Sequence, residues 1–434
     1  MASTSIYRTQ STATNRKIFT LSMWVKMSKT GSDQSAYQFC DFYASSSIRI
    51  SIYHDNDDHL NCYMIGGGYD NNIFVTNAKL RDKTAWYHLV WRFDTTQATA
   101  SDRVRLYING ELATFSSYNA PSQDFNLQQG TSSYTQYYGR YGGHTNNNFD
   151  GIMSHIHFCD GYSYGPDSFG STDSTTGQWE IITNPSVSYG NNGHFILKDG
   201  NSVTDQSGNS LSFSTGGTLT KTEDCPSNNF CTLSGLYNID GSYSLENGNT
   251  KFVPTGNNDG TFGTLAGIGG KFYYEVKFAA GSDTIYAGYS PVQLANNEGN
   301  TNPITSFIGQ YRNTGLLQIG GSTDTAYTSV SDGDIFAFAI DLEASSGSRT
   351  VKAYKNGSLY GTVTIGTSYE NDMWLPVAGD TSGGNSGRLE FNFGNGYFGS
   401  TAVSSAGTNA SNIGIFEYDV PSGYTALSTK GLNL

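Results

Sequence analysis

The chain has 434 residues and a net charge of −13, with 14% charged residues where soluble proteins average about 25%. It has no Lys/Arg cluster and no run of the roughly 20 apolar residues that a spanning helix needs, which excludes tracking along nucleic acid and membrane insertion. Its length calls for two or three domains, and 14% aromatic residues with 52 glycines and only 9 prolines point to a folded, strand-rich chain.

In chain order, the polar start Met1 to Ser5 lacks a charged-then-apolar leader, so folding in the cytoplasm without a signal peptide is expected. From Phe19 to Lys26, Phe19, Leu21, Met23 and Val25 alternate with Thr20, Ser22, Trp24 and Lys26, the period-2 pattern of a strand with two distinct faces. Trp86 to Phe93 reads as a second strand. Arg103 to Ile108 runs into Asn109-Gly110, and Leu112 to Phe115 leaves it; Asn-Gly between alternating strands marks a type I′ hairpin. The same grammar returns later. Ile335 to Leu342 is a nearly continuous apolar strand, and Thr350 to Lys355 enters Asn356-Gly357 before Ser358 to Thr364.

Between these regions, Gly161 to Leu236 holds short apolar islands such as His194 to Leu197, read as an ordered connector with short strands. After a Gly/Ser/Ala stretch from Gly399 to Ser411, Ile415 to Val420 reads as a terminal strand. It is expected either to complete the preceding sheet or to cross to a partner. No segment carries ten residues of helical periodicity. The expected fold is therefore all-β, two tandem antiparallel sandwiches. The expected domains are 1–162, a connector at 163–236, 237–398, and a tail at 399–434. Five cysteines (Cys40, Cys62, Cys159, Cys225 and Cys231) are too sparse for a disulfide framework and read as reduced thiols.

The residues that carry chemistry are few. Tyr134, Tyr137, Tyr138, Arg140, Tyr141 and His144 gather planar groups between glycines, the composition of a sugar-binding surface; of these Tyr134, Tyr137, Arg140, Tyr141 and His144 are the ligand-binding candidates. His155, His157 and Cys159 fall at i, i+2 and i+4 of one strand and share a face, where a His-x-His pair holds zinc if a third ligand arrives; the plainer reading is a sandwich face covered by the connector. Asp55, Asp57 and Asp58 crowd one loop, read as a solvated acidic turn.

Phe19 to Lys26, Trp86 to Val90, Leu106 to Gly110 and Phe149 to Ile152 resemble, in that order, the landmarks of laminin-G and pentraxin-type domains of the concanavalin A-like class. Gly270 to Val276, Ala287 to Ser290, Asp332 to Ile335, Tyr354 to Gly357, Trp374 to Pro376 and Asn392 to Gly394 resemble a SPRY domain. The first resemblance allows calcium bound by loop carboxylates and carbonyls, but no complete ligand set is visible in these residues, so no cofactor is expected. The second implies partner binding through loops around Pro291 to Pro303 and Tyr311 to Gly315. Asp224 to Leu233, Glu246 to Asn249 and Phe416 to Leu427 are similar to stretches of structural proteins from tailed bacteriophages, marine ones especially.

These likenesses imply a virion surface protein: a tail-fibre or adhesion component binding host-surface glycan or protein, or else a capsid decoration with no external ligand. Other virion proteins are the expected partners, and a homo-oligomer is the expected form, a trimer suiting a fibre. The concanavalin A-like class also contains glycoside hydrolases, which carry Glu-x-Asp-x-x-Glu on one strand. No such run occurs here: Glu275 lacks a carboxylate two positions away, and Asp332 and Asp334 sit in a turn. The chain is expected not to be an enzyme.

Overall fold

The structure, a computed structural model, describes residues 4–31, 36–66, 68–143, 147–198, 202–237, 243–256, 258–280, 284–295, 306–312, 315–320, 330–381 and 387–434. The chain divides into two units, Met1–Lys221 and Thr222–Leu434. The stretch expected as a connector is shared between them, residues 163–221 belonging to the first and 222–236 to the second. Among the described residues no helix is long and apolar enough to cross a membrane.

The strands of the first unit are β1 (Ser5–Thr9), β2 (Ile18–Met27), β3 (Ala36–Ser45), β4 (Ile48–Asp55), β5 (His59–Gly66), β6 (Tyr69–Lys79), β7 (Tyr87–Asp94), β8 (Val104–Ile108), β9 (Glu111–Leu112), β10 (Phe115–Tyr118), β11 (Thr135–Tyr138), β12 (Gly151–Asp160), β13 (Gly170–Thr172), β14 (Trp179–Ile181), β15 (His194–Ile196) and β16 (Ser214–Gly216). Within the described residues they form an eight-stranded sheet, β10-β6-β5-β4-β3-β11-β1-β16, and a six-stranded sheet, β15-β12-β2-β7-β8-β9. The alternation of β2 explains how the two sheets meet. Phe19, Leu21, Met23 and Val25 enter one buried cluster with Cys40, Phe42, Ile50 and Ile52 of the facing sheet. Phe19 stacks on Phe93 at 4.2 Å and meets Phe42 across the sandwich at 5.6 Å. Truncating such a ring typically costs about 3–5 kcal/mol.

The other face of β2 is buried as well. Residues after Asp160 lie across it, so Val90 and Cys159 pack with Phe169, Tyr164, Val187 and Tyr189. Trp179 comes down beside His88, donating from Nε1 to Nδ1 at 3.0 Å. The turn at Asn109-Gly110 has φ 49° and 85°, as the hairpin expectation requires. A Cβ on Gly110 would lie 2.5 Å from the Trp179 ring, so glycine here serves both the turn and the cover.

In the second unit, within the described residues, one sheet orders its strands as Tyr243–Glu246, Lys251–Pro254, Arg388–Asn392, Lys271–Ala280, Ile335–Asp341, Thr350–Lys355 and Ser358–Thr364. Thr425–Ala426 adds a short parallel pairing to Phe272 and Tyr273. A five-stranded sheet faces it, ordered Gly260–Phe262, Trp374–Asp380, Ile285–Pro291, Ile308–Tyr311 and Gly315–Leu317. Tyr274 sits between them, 5.1 Å from Tyr289 of the facing sheet and 5.6 Å from Phe338 of its own.

The tail corrects an expectation. Ile415 to Val420 does not form a strand; Ile415 makes a single bridge to Asn395, and the sheet is extended by Thr425–Ala426 instead. Phe416, Val420 and Tyr424 lie against Tyr273, Ala337 and Ala339 on the outer face. The physical reason is Glu275. Its buried carboxylate accepts the backbone N–H of Glu417 and of Tyr418, each at 2.9 Å, so those amides are not offered to a strand partner. The Tyr273 hydroxyl and the Asn392 amide donate to it too, both at 3.1 Å.

Burial pushes the Glu275 carboxyl up to about 7, against the pull of those four donors. The native state therefore holds a proton there at a pH where the unfolded chain, with a carboxyl near 4.5, has released it. Stability from this group is complete below about 4.5 and falls as pH rises to about 7, at about 1.4 kcal/mol per pH unit. All seven histidines precede residue 195, so none competes in this unit. The urea midpoint read by alkylation of buried Cys231 is expected to drop between pH 5 and pH 7. In Glu275→Gln that slope should flatten.

Candidate functional site

The outer face of the eight-stranded sheet is built by register. Tyr7 pairs with Tyr137, Tyr137 with Asp41, Asp41 with Ser51, and Ser51 with Tyr63, so one row of side chains crosses five strands. The Tyr7 and Tyr137 rings sit 5.4 Å apart. The chain leaving β11 turns back onto this face through Gly139, at φ 76°. Gly142 then lies so close that a Cβ would meet the Tyr43 ring at 2.5 Å and the Tyr137 ring at 2.9 Å.

Asp41 fastens that loop. Its carboxyl accepts the Gly142 N–H at 2.9 Å and the Ser51 hydroxyl at 2.8 Å. Burial pushes it up to about 7, opposed by these two hydrogen bonds and by the nearby Arg49. On one side of the loop, the Arg140 guanidinium lies 5.9 Å from the Tyr137 ring centre. On the other, Arg49 lies between Tyr141 at 4.8 Å and Tyr63 at 5.5 Å, with Tyr43 meeting Tyr141 edge-on at 5.7 Å. Tyr141 is buried beneath this arrangement, while Tyr7, Tyr43, Arg49, Tyr63, Tyr137 and Arg140 stay partly exposed. The face can therefore offer aromatic planes, phenol hydroxyls and guanidinium donors to one ligand.

Of the sequence candidates, Tyr137, Arg140 and Tyr141 come together here. Tyr134 does not; it precedes β11, where its carbonyl accepts from Gln10. His144 lies outside the described residues, as do much of Pro291 to Pro303 and part of Tyr311 to Gly315. Sequence reasoning missed Tyr7, Asp41, Tyr43, Arg49 and Tyr63. Alternation within β3 and β4 marks Asp41, Tyr43, Arg49 and Ser51 as sharing outward positions, but nothing local shows that β11 lies beside them.

Residues 2–162 match the family model of the concanavalin A-like lectin/glucanases superfamily. The first unit thus carries a concanavalin A-like domain. No curated protein matches the chain. Among solved structures, the SPRY domain of human HERC1 is similar over 34% of this chain and 91% of its own, at 14% identity and TM-score 0.28. The TRIM65 PSpry domain covers 37% of this chain and 90% of its own, at 15% identity and TM-score 0.28. A heptameric SAP-like pentraxin from Limulus polyphemus covers 49% and 88%, at 15% identity and TM-score 0.30.

The concanavalin A-like unit also holds the residues considered for metal. A bulge between Ser154 and His157, with His155 at φ 46°, breaks the strict alternation expected of His155, His157 and Cys159. Met153 and Ile156 both pack toward the core, three residues apart where a regular strand would have two. His157 and Cys159 then share the covered face, and the His157 Nδ1 is paired with the Tyr189 hydroxyl at 2.9 Å. His155 pairs through Nδ1 with Ser154 at 2.8 Å, and burial pushes the Cys159 thiol up, away from the thiolate zinc requires. In the acidic loop, Asp55 accepts from its own turn at Asp57 and His59, and Asp58 pairs with Arg81 at 3.1 Å. Among the described residues no three His, Cys, Asp or Glu side chains converge as a metal would need.

The buried histidines set the acid response of this unit. Burial lowers His54 and His157, takes His88 to about 3 and takes His194 to about 4. His88 accepts at Nδ1 from Trp179, which leaves its Nε2–H to donate to Ser22 at 2.8 Å, a neutral tautomer with both nitrogens in use. At His88 and His194 the unfolded chain gains a proton below about 6.5 and the native state does not, and His54 and His157 act in the same direction, so stability is complete above 6.5 and is lost as pH falls toward 4. Asp41, between 3.8 and about 7, and Asp160, also raised by burial, act in the opposite sense. The urea midpoint read by Cys62 alkylation is expected to fall from pH 7 to pH 5, the reverse of the second unit. His88→Gln should make that slope shallower.

Proposed function

We propose that the concanavalin A-like unit is a carbohydrate-recognition module, and that the chain is an adhesion component displayed on a virus particle. The observation that carries the first half is the row of Tyr7, Tyr137, Asp41, Ser51 and Tyr63 across the outer sheet face, flanked by Arg140 and Arg49. A tyrosine ring presents a flat apolar plane to the C–H face of a sugar, and neighbouring hydroxyl and guanidinium groups satisfy the sugar hydroxyls that binding takes from water.

The second half rests on the likeness of Asp224 to Leu233 and Phe416 to Leu427 to structural proteins of tailed bacteriophages, together with a chain of only 14% charged residues. In this reading the ligand is a host-surface glycan, the neighbours are other virion proteins, and several copies act together, a trimer suiting a fibre. The role is binding without hydrolysis. A retaining glycosidase needs two carboxyls about 5–5.5 Å apart, and the row across this face contains one, Asp41.

A glycan array probed with the whole chain is expected to give binding that Tyr137→Ala weakens at least tenfold, about 1.4 kcal/mol. Bound glycans should show no new reducing ends. An array without a single binder, combined with antibody labelling of whole particles, would leave the chain a structural virion protein with no external ligand. An array without binders and particles without label would remove both halves of the proposal.

A further inference from the structure

Arg49 is the part of this face that a neutral sugar does not require. Its guanidinium lies between the rings of Tyr141 and Tyr63, 4.8 Å and 5.5 Å from their centres. Nε donates to the Ser51 hydroxyl at 3.0 Å, and Nη1 donates to the Ser46 carbonyl. Among the described residues the other terminal nitrogen takes no hydrogen bond and Arg49 enters no salt bridge. The acid nearest in the network is Asp41, which feels the Arg49 charge but is linked to it by hydrogen bonds only through Ser51, whose hydroxyl donates to Asp41 at 2.8 Å.

That carboxyl is a poor counter-ion. It is turned toward the Gly142 amide and Ser51 beneath the loop, and burial, which disfavours its charged form, raises it to about 7 against the pull of Arg49. The positive charge of Arg49 therefore remains on a partly exposed surface of a chain whose net charge is −13. Two aromatic planes hold the guanidinium in place at little entropic cost, the pre-organisation that makes arginine a selective partner for carboxylate and sulfate. Tyr137 lies on β11, two strands from β4, a separation of roughly 10 Å at ordinary strand spacing. One side chain can thus hold a charged group while the other receives a neighbouring sugar ring of the same polymer.

We propose that this face selects acidic polysaccharide, the free edge of the Arg49 guanidinium taking a sugar carboxylate or sulfate between Tyr63 and Tyr141. The proposal rests on reading the face as a carbohydrate site, and it adds the class of sugar. Charge on the ligand also reconciles binding with an acidic chain: attraction is local to this row, and long-range repulsion keeps acidic polymers from the rest of the surface.

Calorimetry on the whole chain with oligogalacturonate, sulfated dextran and neutral dextran separates the outcomes. At least one acidic probe is expected to bind tenfold or more tightly than neutral dextran, with a preference that shrinks as salt is raised. The stronger of the two acidic probes identifies carboxylate or sulfate as the group recognised. In Arg49→Gln the acidic-to-neutral ratio should collapse toward one. Arg49→Lys, which keeps the charge and loses the planar fork, should retain only part of it. The Cys62 alkylation midpoint confirms that each variant is folded, and the wild-type ratio stands without them. Equal binding of acidic and neutral probes, or an unchanged ratio in folded Arg49→Gln, overturns the acidic selection and leaves the carbohydrate reading intact. Failure of every glycan on the array removes the carbohydrate reading itself.

Discussion

A sheet with aromatic and apolar side chains on both faces cannot stop at two layers. In the first unit β2, β7 and β12 direct one set of residues into the sandwich and present Trp24, His88, Val90, His157 and Cys159 on the opposite side. Left in water, that second face would forfeit apolar burial worth roughly 25 cal/mol per Å2. The chain supplies its own cover from the residues that follow β12. The cover also satisfies polar atoms: the His88 ring lies between Trp24 at 4.7 Å and Trp179 at 6.0 Å, with hydrogen bonds to Ser22 and Trp179 at its two nitrogens. A buried imidazole without such partners would cost the full penalty of a desolvated polar group.

The second unit solves the same problem with another piece of chain. There the tail lies over Tyr273, Ala337 and Ala339, and Glu275 ties it down through the amides of Glu417 and Tyr418. Each unit brings an aromatic ring down onto a hairpin glycine, Trp179 onto Gly110 and Tyr418 onto Gly357, where a Cβ would lie 2.5 Å and 2.6 Å from the ring. In each, the preceding asparagine binds the adjoining strand twice. Asn109 accepts from the His88 amide and donates its own to the His88 carbonyl, and Asn356 does the same with Ile335. The shared device is thus a turn that fixes an edge and leaves a flat backbone patch for a covering ring.

The proposed function depends on which face escapes cover. In the concanavalin A-like unit the six-stranded sheet is closed, and the outer face of the eight-stranded sheet keeps Tyr7, Tyr43, Arg49, Tyr63 and Tyr137 partly in contact with solvent. The loop from Gly139 to Gly143 crosses that face and divides it. Asp41 is buried because the loop is there, and the loop is held because Asp41 is there. A carboxyl in this position acts as a positioning residue: it sets where Tyr141 and Gly142 lie, and through them the rings that flank Arg49.

Much of this architecture was legible in the residues. The alternation of Phe19 to Lys26 named the core face of β2, and Asn109-Gly110 and Asn356-Gly357 marked two hairpins because positive φ at adjacent positions is a local, steric demand. The clustering of Tyr137, Arg140 and Tyr141 pointed to one edge of the candidate site. What local pattern left undecided was pairing at a distance. The hydrogen bond from Gly142 to Asp41 spans 101 residues, and the one from Trp179 to His88 spans 91. Ile415 to Val420 looked like a strand because its apolar residues alternate, yet its amides went to a carboxylate 142 residues away. The period of a strand is a property of neighbouring residues, and the sequence by itself determined it. Which strand lies alongside, which face is covered and which is left open depend on segments a hundred residues apart meeting in space, and only the tertiary structure decided those.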